Sequence, residues 1–540
     1  MSSRLLVAFL TVLIGGTLSL TPAFGAAPAR SGEFTSVDRP DRLRAPSFAP
    51  PPSPAAALAR ARALFTRSGN ERRARTSGRE ATLVLRDLAR QAADLPTAAQ
   101  RQAAARILAR PTTGDDPTGG LEPRYTSPSA SDCGPHICVH WVEDASPDSA
   151  KGKGNDGNLS TIPAWVTTTL TTMEAVYRKE VYSLGYHAPL PDGTRGGDGR
   201  IDVYLADLGG AGLYGYCTSD QPDRGTNRRV FAYCVLDNDY AASQFGTRHT
   251  RVENLEVTAA HEFFHAIQFG YDWSEDSWLM EGTAAWMEDE VYDNVNDNLQ
   301  YLGESQLAYP YVSLDYSGYD YQPYGAWVFW KFLSEAAGRG RFDSPRIVRD
   351  VWTAATGAPF STQALQHVLA ARHTSFARVY GTFGTWLRDP ARYFAEGRSY
   401  RSAPLDGRFI LTRSHPSTGV RRTRMDHMTH TFARLSPGPT LTGAWRVRIS
   451  INMVDRSRGS LARVVVHPRH GAPTAHWFAL DRSGAGTQVF GFRRSAITNL
   501  EVDLVNASMR FHCNRGTSQS CRGVSYDDNV PATINARAIR

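Results

Sequence analysis

The sequence predicts an α+β domain followed by an all-β sandwich, and three observations carry that expectation. Between about Tyr125 and Leu236, a helical segment alternates with short β-type runs. From about Glu253 to Arg388, amphipathic helical spacing dominates. Beyond about Ser402 the apolar period drops to two, most plainly in Trp445-x-Val447-x-Ile449-x-Ile451-x-Met453, the pattern of a half-buried strand. A chain of 540 residues is too long for one core, and its 41% hydrophobic content is compatible with globular folding.

The elements follow in order. Residues 1–25 have the plan of a secretory signal peptide: Arg4, an apolar run from Leu5 to Ile14, and a small-residue exit at Ala23-Phe-Gly25. Residues 26–120 hold a Pro-rich linker with Pro50-Pro-Pro-Ser-Pro54, then two helical segments, Arg79 to Ala93 and Ala98 to Ala109, separated by Pro96 and stopped by Pro111. The flexible Asp115-Asp-Pro-Thr-Gly-Gly120 stretch suits processing. Two readings of this basic region stay open, a propeptide covering an active site until export and a permanent helical appendage. In residues 121–400, Pro163 to Tyr182 reads as helix, and Ile201 to Leu205 and Val230 to Leu236 as strands. The helix starting near Glu253 is followed by Pro323 to Ala337, Pro345 to Ala355, Thr362 to Ala371 and Ser375 to Arg388. In residues 401–540, Leu461 to Val466, His476 to Leu480, Thr487 to Phe492 and Leu500 to Leu504 continue the strand series, with turn residues between them.

Charge and cysteines narrow the class. The net charge is +7, but residues 26–120 alone carry 16 Arg against 9 acidic groups, and residues 121–540 are close to neutral. No nucleic-acid partner is predicted. No run after the signal is long enough to span a bilayer. Six cysteines fall into three close pairs, Cys133/Cys138, Cys217/Cys234 and Cys513/Cys521, which an exported chain would join as local disulfides.

The chemistry centres on His261-Glu262-Phe263-Phe264-His265. Residues four apart on a helix share a face, so His261 and His265 can aim their ring nitrogens at one metal while Glu262 flanks it. Chance alone would produce such a motif here about one time in a hundred, so context decides. A catalytic zinc takes three protein ligands and keeps an open position. Glu281, in Trp278-Leu-Met-Glu281-Gly-Thr-Ala284, is the expected third ligand, with Glu288 on the same helix face as runner-up. Asp192-x-Gly-x-x-Gly-Gly-Asp198-x-x-x-Asp202 has the flavour of a calcium loop but lacks the acidic closing residue, so a glycine turn before a strand is expected there.

These two segments resemble the gluzincin metallopeptidases, and among them the secreted bacterial metalloproteases with a β-rich C-terminal domain. The resemblance is specific around the two segments and extends more loosely from Val230 to Gly338. It implies a zincin-like domain in which His261, His265 and Glu281 bind Zn2+. Glu262 would be the general base for a zinc-activated water that hydrolyses the peptide bonds of a protein or peptide substrate. The aminopeptidase-like members place a tyrosine before a similar Gly-Ala helix, which makes Tyr321 and Tyr324 candidate oxyanion donors, although their spacing to Gly325 departs from the pattern. The competing expectation is a non-catalytic adhesion or binding protein that keeps the zinc site as structure.

Overall fold

In a computed structural model, the described residues are 53–65, 81–112, 125–143, 149, 158–221, 228–316, 322–336, 345–357 and 359–540. The signal segment, the Asp115–Gly120 stretch and Tyr321 lie outside them. Three N-terminal helices, α1 (Pro54–Phe65), α2 (Ala81–Gln91) and α3 (Ala98–Ile107), open the chain. α1 was not foreseen behind the Pro-rich run. Its start is nonetheless written locally, with Pro54 at the first helical position and the Ser53 hydroxyl accepting from Ala56 N at 3.3 Å. α3 begins with a capping box between Thr97 and Gln100.

A five-stranded mixed sheet follows, built from β1 (Ser129–Cys133), β2 (Ile137–Val142), β3 (Ile201–Ala206), β4 (Gly215–Thr218) and β5 (Tyr233–Asp237), with α4 (Ala164–Tyr177) between β2 and β3. The strand order is β1-β2-β3-β5-β4. β2, β3 and β5 run parallel, and both outer strands are antiparallel to their neighbours. The strand predicted at Val230 to Leu236 is therefore interior, and the edge beside it is β4. Two disulfides tie register partners in this sheet, Cys133–Cys138 across β1/β2 and Cys217–Cys234 across β4/β5.

After the short α5 (Ala242–Phe245) come α6 (Arg251–Asp272) and α7 (Ser277–Val291), then α8 (Gln322–Gly325), α9 (Trp327–Ala336), α10 (Arg346–Ala355), α11 (Ser361–Ala371), α12 (Phe376–Arg388) and α13 (Pro390–Tyr393). One apolar cluster includes Leu58, Leu85 and Leu88 of the N-terminal helices, Val203 and Val235 of the sheet, Phe263 and Phe264 of α6, and Trp330 of α9. The N-terminal helices thus bury their apolar faces against the same core as the sheet.

The C-terminal region is β-rich, as expected. One sheet has the order β11-β10-β13-β8-β6 and the other β12-β9-β16-β7, in strands β6 (Gly407–Leu411), β7 (Arg421–Met425), β8 (Thr429–Pro437), β9 (Arg446–Asn452), β10 (Ser460–Pro468), β11 (Thr474–Trp477), β12 (Ala485–Gly491), β13 (Ile497–Asn506) and β16 (Val530–Ile539). They share a second apolar cluster that includes Leu435, Ile449, Val464, Val502 and Ile534. A small ribbon of β14 (Phe511–His512) and β15 (Val524–Ser525) carries the third disulfide, Cys513–Cys521, beside it. This ribbon reaches back to the helices, since Cys521 N donates to Asp276 Oδ2 at 3.0 Å. Within the same contact region His427 is clamped between Asp315 and Asp528.

Candidate metal centre

The centre is built on α6 and α7. α6 starts at a capping box in which Thr250 Oγ1 accepts from Glu253 N and Glu253 Oε2 accepts from Thr250 N. It packs against β4 and β5, with Glu262 beside Gly215 of β4. Gly215 of β4 makes this approach tolerable: a Cβ there would stand 2.9 Å from Thr258 Cγ2 and 3.2 Å from Glu262 Cγ. α7 packs along α6, and Gly282 lets the Trp330 indole lie against it, where a Cβ would be 2.9 Å from Trp330 Nε1. Ala284 and Ala285, small side chains next to Glu281 on α7, are fully buried.

His261, His265 and Glu281 meet at one point. His261 Nε2 is 3.1 Å from His265 Nε2, and Glu281 Oε2 is 3.3 Å and 3.6 Å from the two nitrogens. Ligands about 2.0–2.1 Å from a tetrahedral zinc stand about 3.3 Å from one another, so these separations match what such an ion needs. The far side of each ring is held. His261 Nδ1 lies 2.7 Å from Glu288 Oε1, and His265 Nδ1 lies 2.7 Å from Gln268 Oε1. The Gln268 amide is itself oriented, because its Nε2 donates to Met280 O and to Thr283 Oγ1. Both acceptors place the ring proton on Nδ1 and turn the Nε2 lone pairs inward. Neither Glu281 oxygen has a hydrogen-bond partner, although the residue is 1% exposed. Three electron-pair donors crowded round a buried point fit a cation.

Protons answer part of that demand. Burial works to lower the His261 pKa, but Glu281 and Glu288 carry it up to about 10. Burial works to raise that of Glu281, yet His265 and His261 bring it down to about 2. Glu262 goes the other way. Its burial pushes the carboxyl up, against the pull of His261, His265 and the Thr82 hydroxyl.

Glu262 stands outside the convergent set. Its Oε2 accepts a 2.8 Å hydrogen bond from Thr82 Oγ1 of α2, and the same hydroxyl accepts from Cys217 N of β4 at 2.9 Å. Tyr324 of α8 stacks against His261 with ring centroids 5.8 Å apart and is itself covered by Tyr301 at 5.0 Å. Glu288, the runner-up ligand, sits behind His261. Gln268 and Thr82 carried no local signal in the sequence, since their roles depend on segments distant in the chain.

The acidic glycine loop has another occupant. Arg110, just past α3, donates from Nε to Asp220 at 3.0 Å, pairs with Asp192 at 2.5 Å and also pairs with Asp202. Asp202 Oδ1 is bonded to His140 Nε2 at 2.7 Å. Gly196, at φ 69°, lets the turn fold over Asp202, as the glycine-turn reading required.

No family model matches this chain, and no curated protein matches it.

Proposed function

We propose that the chain is a secreted zinc-dependent peptidase of gluzincin type, with a zincin-like domain over residues 121–400 and a β-sandwich accessory domain over residues 401–540. One observation carries the reading: His261 Nε2, His265 Nε2 and Glu281 Oε2 converge at tetrahedral spacing, with both Glu281 oxygens lacking a hydrogen-bond partner and Glu262 beside them outside the ligand set. When bound there, zinc would supply Lewis acidity and bring a water's pKa toward neutrality. Glu262 takes the proton of the attacking water and passes it to the leaving amine. Glu288 and Gln268 hold the two imidazoles in the tautomer and orientation that binding requires. Tyr324, stacked beside His261, is the proposed donor to the developing oxyanion. Three disulfides, and the absence of any helix among the described residues long and apolar enough to cross a membrane, accord with export.

One observation favours the alternative, a non-catalytic adhesion or binding protein with a structural zinc site: His261, Glu262, His265 and Glu281 are all fully buried. Against it stands the donor set. A structural zinc normally has four protein ligands, and Glu262 is turned to Thr82 instead. The test measures zinc stoichiometry and cleavage of a peptide library by wild type and Glu262→Gln, each intact and after limited proteolysis. Zinc in both proteins, with cleavage roughly a hundredfold to ten-thousandfold lower in Glu262→Gln, is the expected result. Zinc in both with no peptide cut by either, in either form, refutes the reading.

A further inference from the structure

We infer that α2 is an internal plug of the metal centre, and that Thr82 is the residue that holds it shut. The inference rests on the peptidase reading for its meaning and on the following geometry for its substance.

Thr82 is 0% exposed, and its hydroxyl is used in both directions. It donates to Glu262 Oε2 and accepts from the backbone N–H of Cys217. Cys217 lies on β4, the outermost strand of the sheet, paired on one side by β5. The free edge of such a strand presents amides that an extended chain can pair with. Here α2 lies against β4, and one of the strand's amides is spent on Thr82. A base carboxylate and an edge-strand amide thus converge on a single oxygen. With α2 in place, Glu262 Oε2 and the Cys217 N–H are both taken up by Thr82, while Glu262 Oε1 is buried beneath with no hydrogen-bond partner.

The rest of α2 anchors the contact. Ala81, Leu85, Leu88 and Ala89 are buried, and Leu85 and Leu88 belong to the apolar cluster that contains Phe263 and Phe264 of α6. Arg86, 4% exposed, donates from its guanidinium to Glu275 O at 2.9 Å, in the connection between α6 and α7. At the other end of the same N-terminal unit, Arg110 is fastened by Asp192, Asp202 and Asp220. The plug therefore touches the base, the edge strand and the α6–α7 connection together. Its departure would uncover all three.

The test uses the full chain loaded with zinc and reads three rates: hydrogen exchange of the α2 amides, transfer of zinc to excess dipicolinate, and cleavage of fluorescein-labelled casein. In the wild type, zinc transfer proceeds no faster than α2 opens. Thr82→Val, which keeps the shape and removes the hydroxyl, raises both rates at least tenfold, and Thr82→Ser leaves both unchanged. Zinc transfer that outruns α2 opening tenfold in the wild type overturns the plug, and this comparison stands even if Thr82→Val fails to fold. Casein separates the two readings. Raised α2 exchange and zinc transfer in Thr82→Val with casein left intact keep the plug and refute the peptidase. Casein cut equally fast by wild type and Thr82→Val refutes the plug and keeps the peptidase.

Discussion

Replacing Arg110 by leucine should cost more than any surface charge change in this chain, and the structure sets the size of the loss. The Arg110 side chain is 3% exposed, and those of Asp192 and Asp202 are 3% and 2% exposed. Leucine fills much of the volume but leaves two buried carboxylates without their cation. Breaking a buried ion pair from one side costs about 3–5 kcal/mol. The cost depends on pH in a defined direction. Burial already pushes Asp192 up to about 6, against the pull of Arg110. Below that pH the carboxyl is protonated and needs no counter-charge. The loss should therefore be about 3–5 kcal/mol at pH 7.5 and smaller by about 1–2 kcal/mol at pH 5. Urea unfolding followed by tryptophan fluorescence at the two pH values measures both. Arg110→Lys should fall between, because one ammonium cannot span three carboxylates as a guanidinium fork does. A loss under about 1 kcal/mol at pH 7.5, or one that grows at pH 5, would refute the assignment of Arg110 as the neutralising group.

Glu288→Ala should weaken zinc binding by about tenfold to a hundredfold while leaving one zinc per chain at saturation, read by competition with a chelator; unchanged affinity would deny Glu288 its orienting role. Tyr324→Phe should lower kcat by about a hundredfold to a thousandfold with zinc affinity unchanged, and a kcat within twofold of wild type would remove it as oxyanion donor. His427 gives a second pH signature. Burial opposes its charge, but Asp315 and Asp528 carry its pKa from 6.5 up to about 10. Its contribution to stability is complete below pH 6.5 and drains away as the pH rises to 10, at about 1.4 kcal/mol per pH unit. Urea unfolding of wild type should show that slope and His427→Asn should lack it; equal slopes would sink the idea.

What could be read in the sequence divides by the range of the forces involved. The 3.6-residue period and the Thr250/Glu253 capping pair mark α6 locally, and Ile201–Ala206, β9, β10, β12 and β13 show themselves by apolar runs or alternation, whereas the strand expected at His476 to Leu480 is found at Thr474–Trp477, an exposed segment held by pairing with β10. Other strands are less plain. β7 reads Arg-Arg-Thr-Arg-Met, with a single apolar side chain, and is a strand because β16 pairs with it. β16 does alternate, through Val530, Ala532, Ile534, Ala536 and Ala538, but its small residues give a faint pattern. The candidate metal centre divides the same way. His261 and His265 are one helical turn apart, so spacing announces them. The choice between Glu281 and Glu288 depends on how α7 is rotated against α6, which packing decides. The partnership of Thr82 with Glu262 spans 180 residues and leaves no trace in either neighbourhood.

The chain between α3 and the sheet leaves and re-enters at almost the same place: Tyr125 N donates to Pro111 O at 2.9 Å, and the Tyr125 hydroxyl is bonded to His140 O and Leu205 O. A single cut between these two residues would therefore separate nothing at once. Both ends stay fastened, and what changes is mass action. A tethered helix faces its seat at an effective concentration on the order of millimolar, whereas a severed one faces it at the concentration of the protein itself. In a dilute medium that difference favours release by orders of magnitude without altering one contact. If α2 is the plug, a nicked molecule would stay latent where it is crowded and open where it is dispersed.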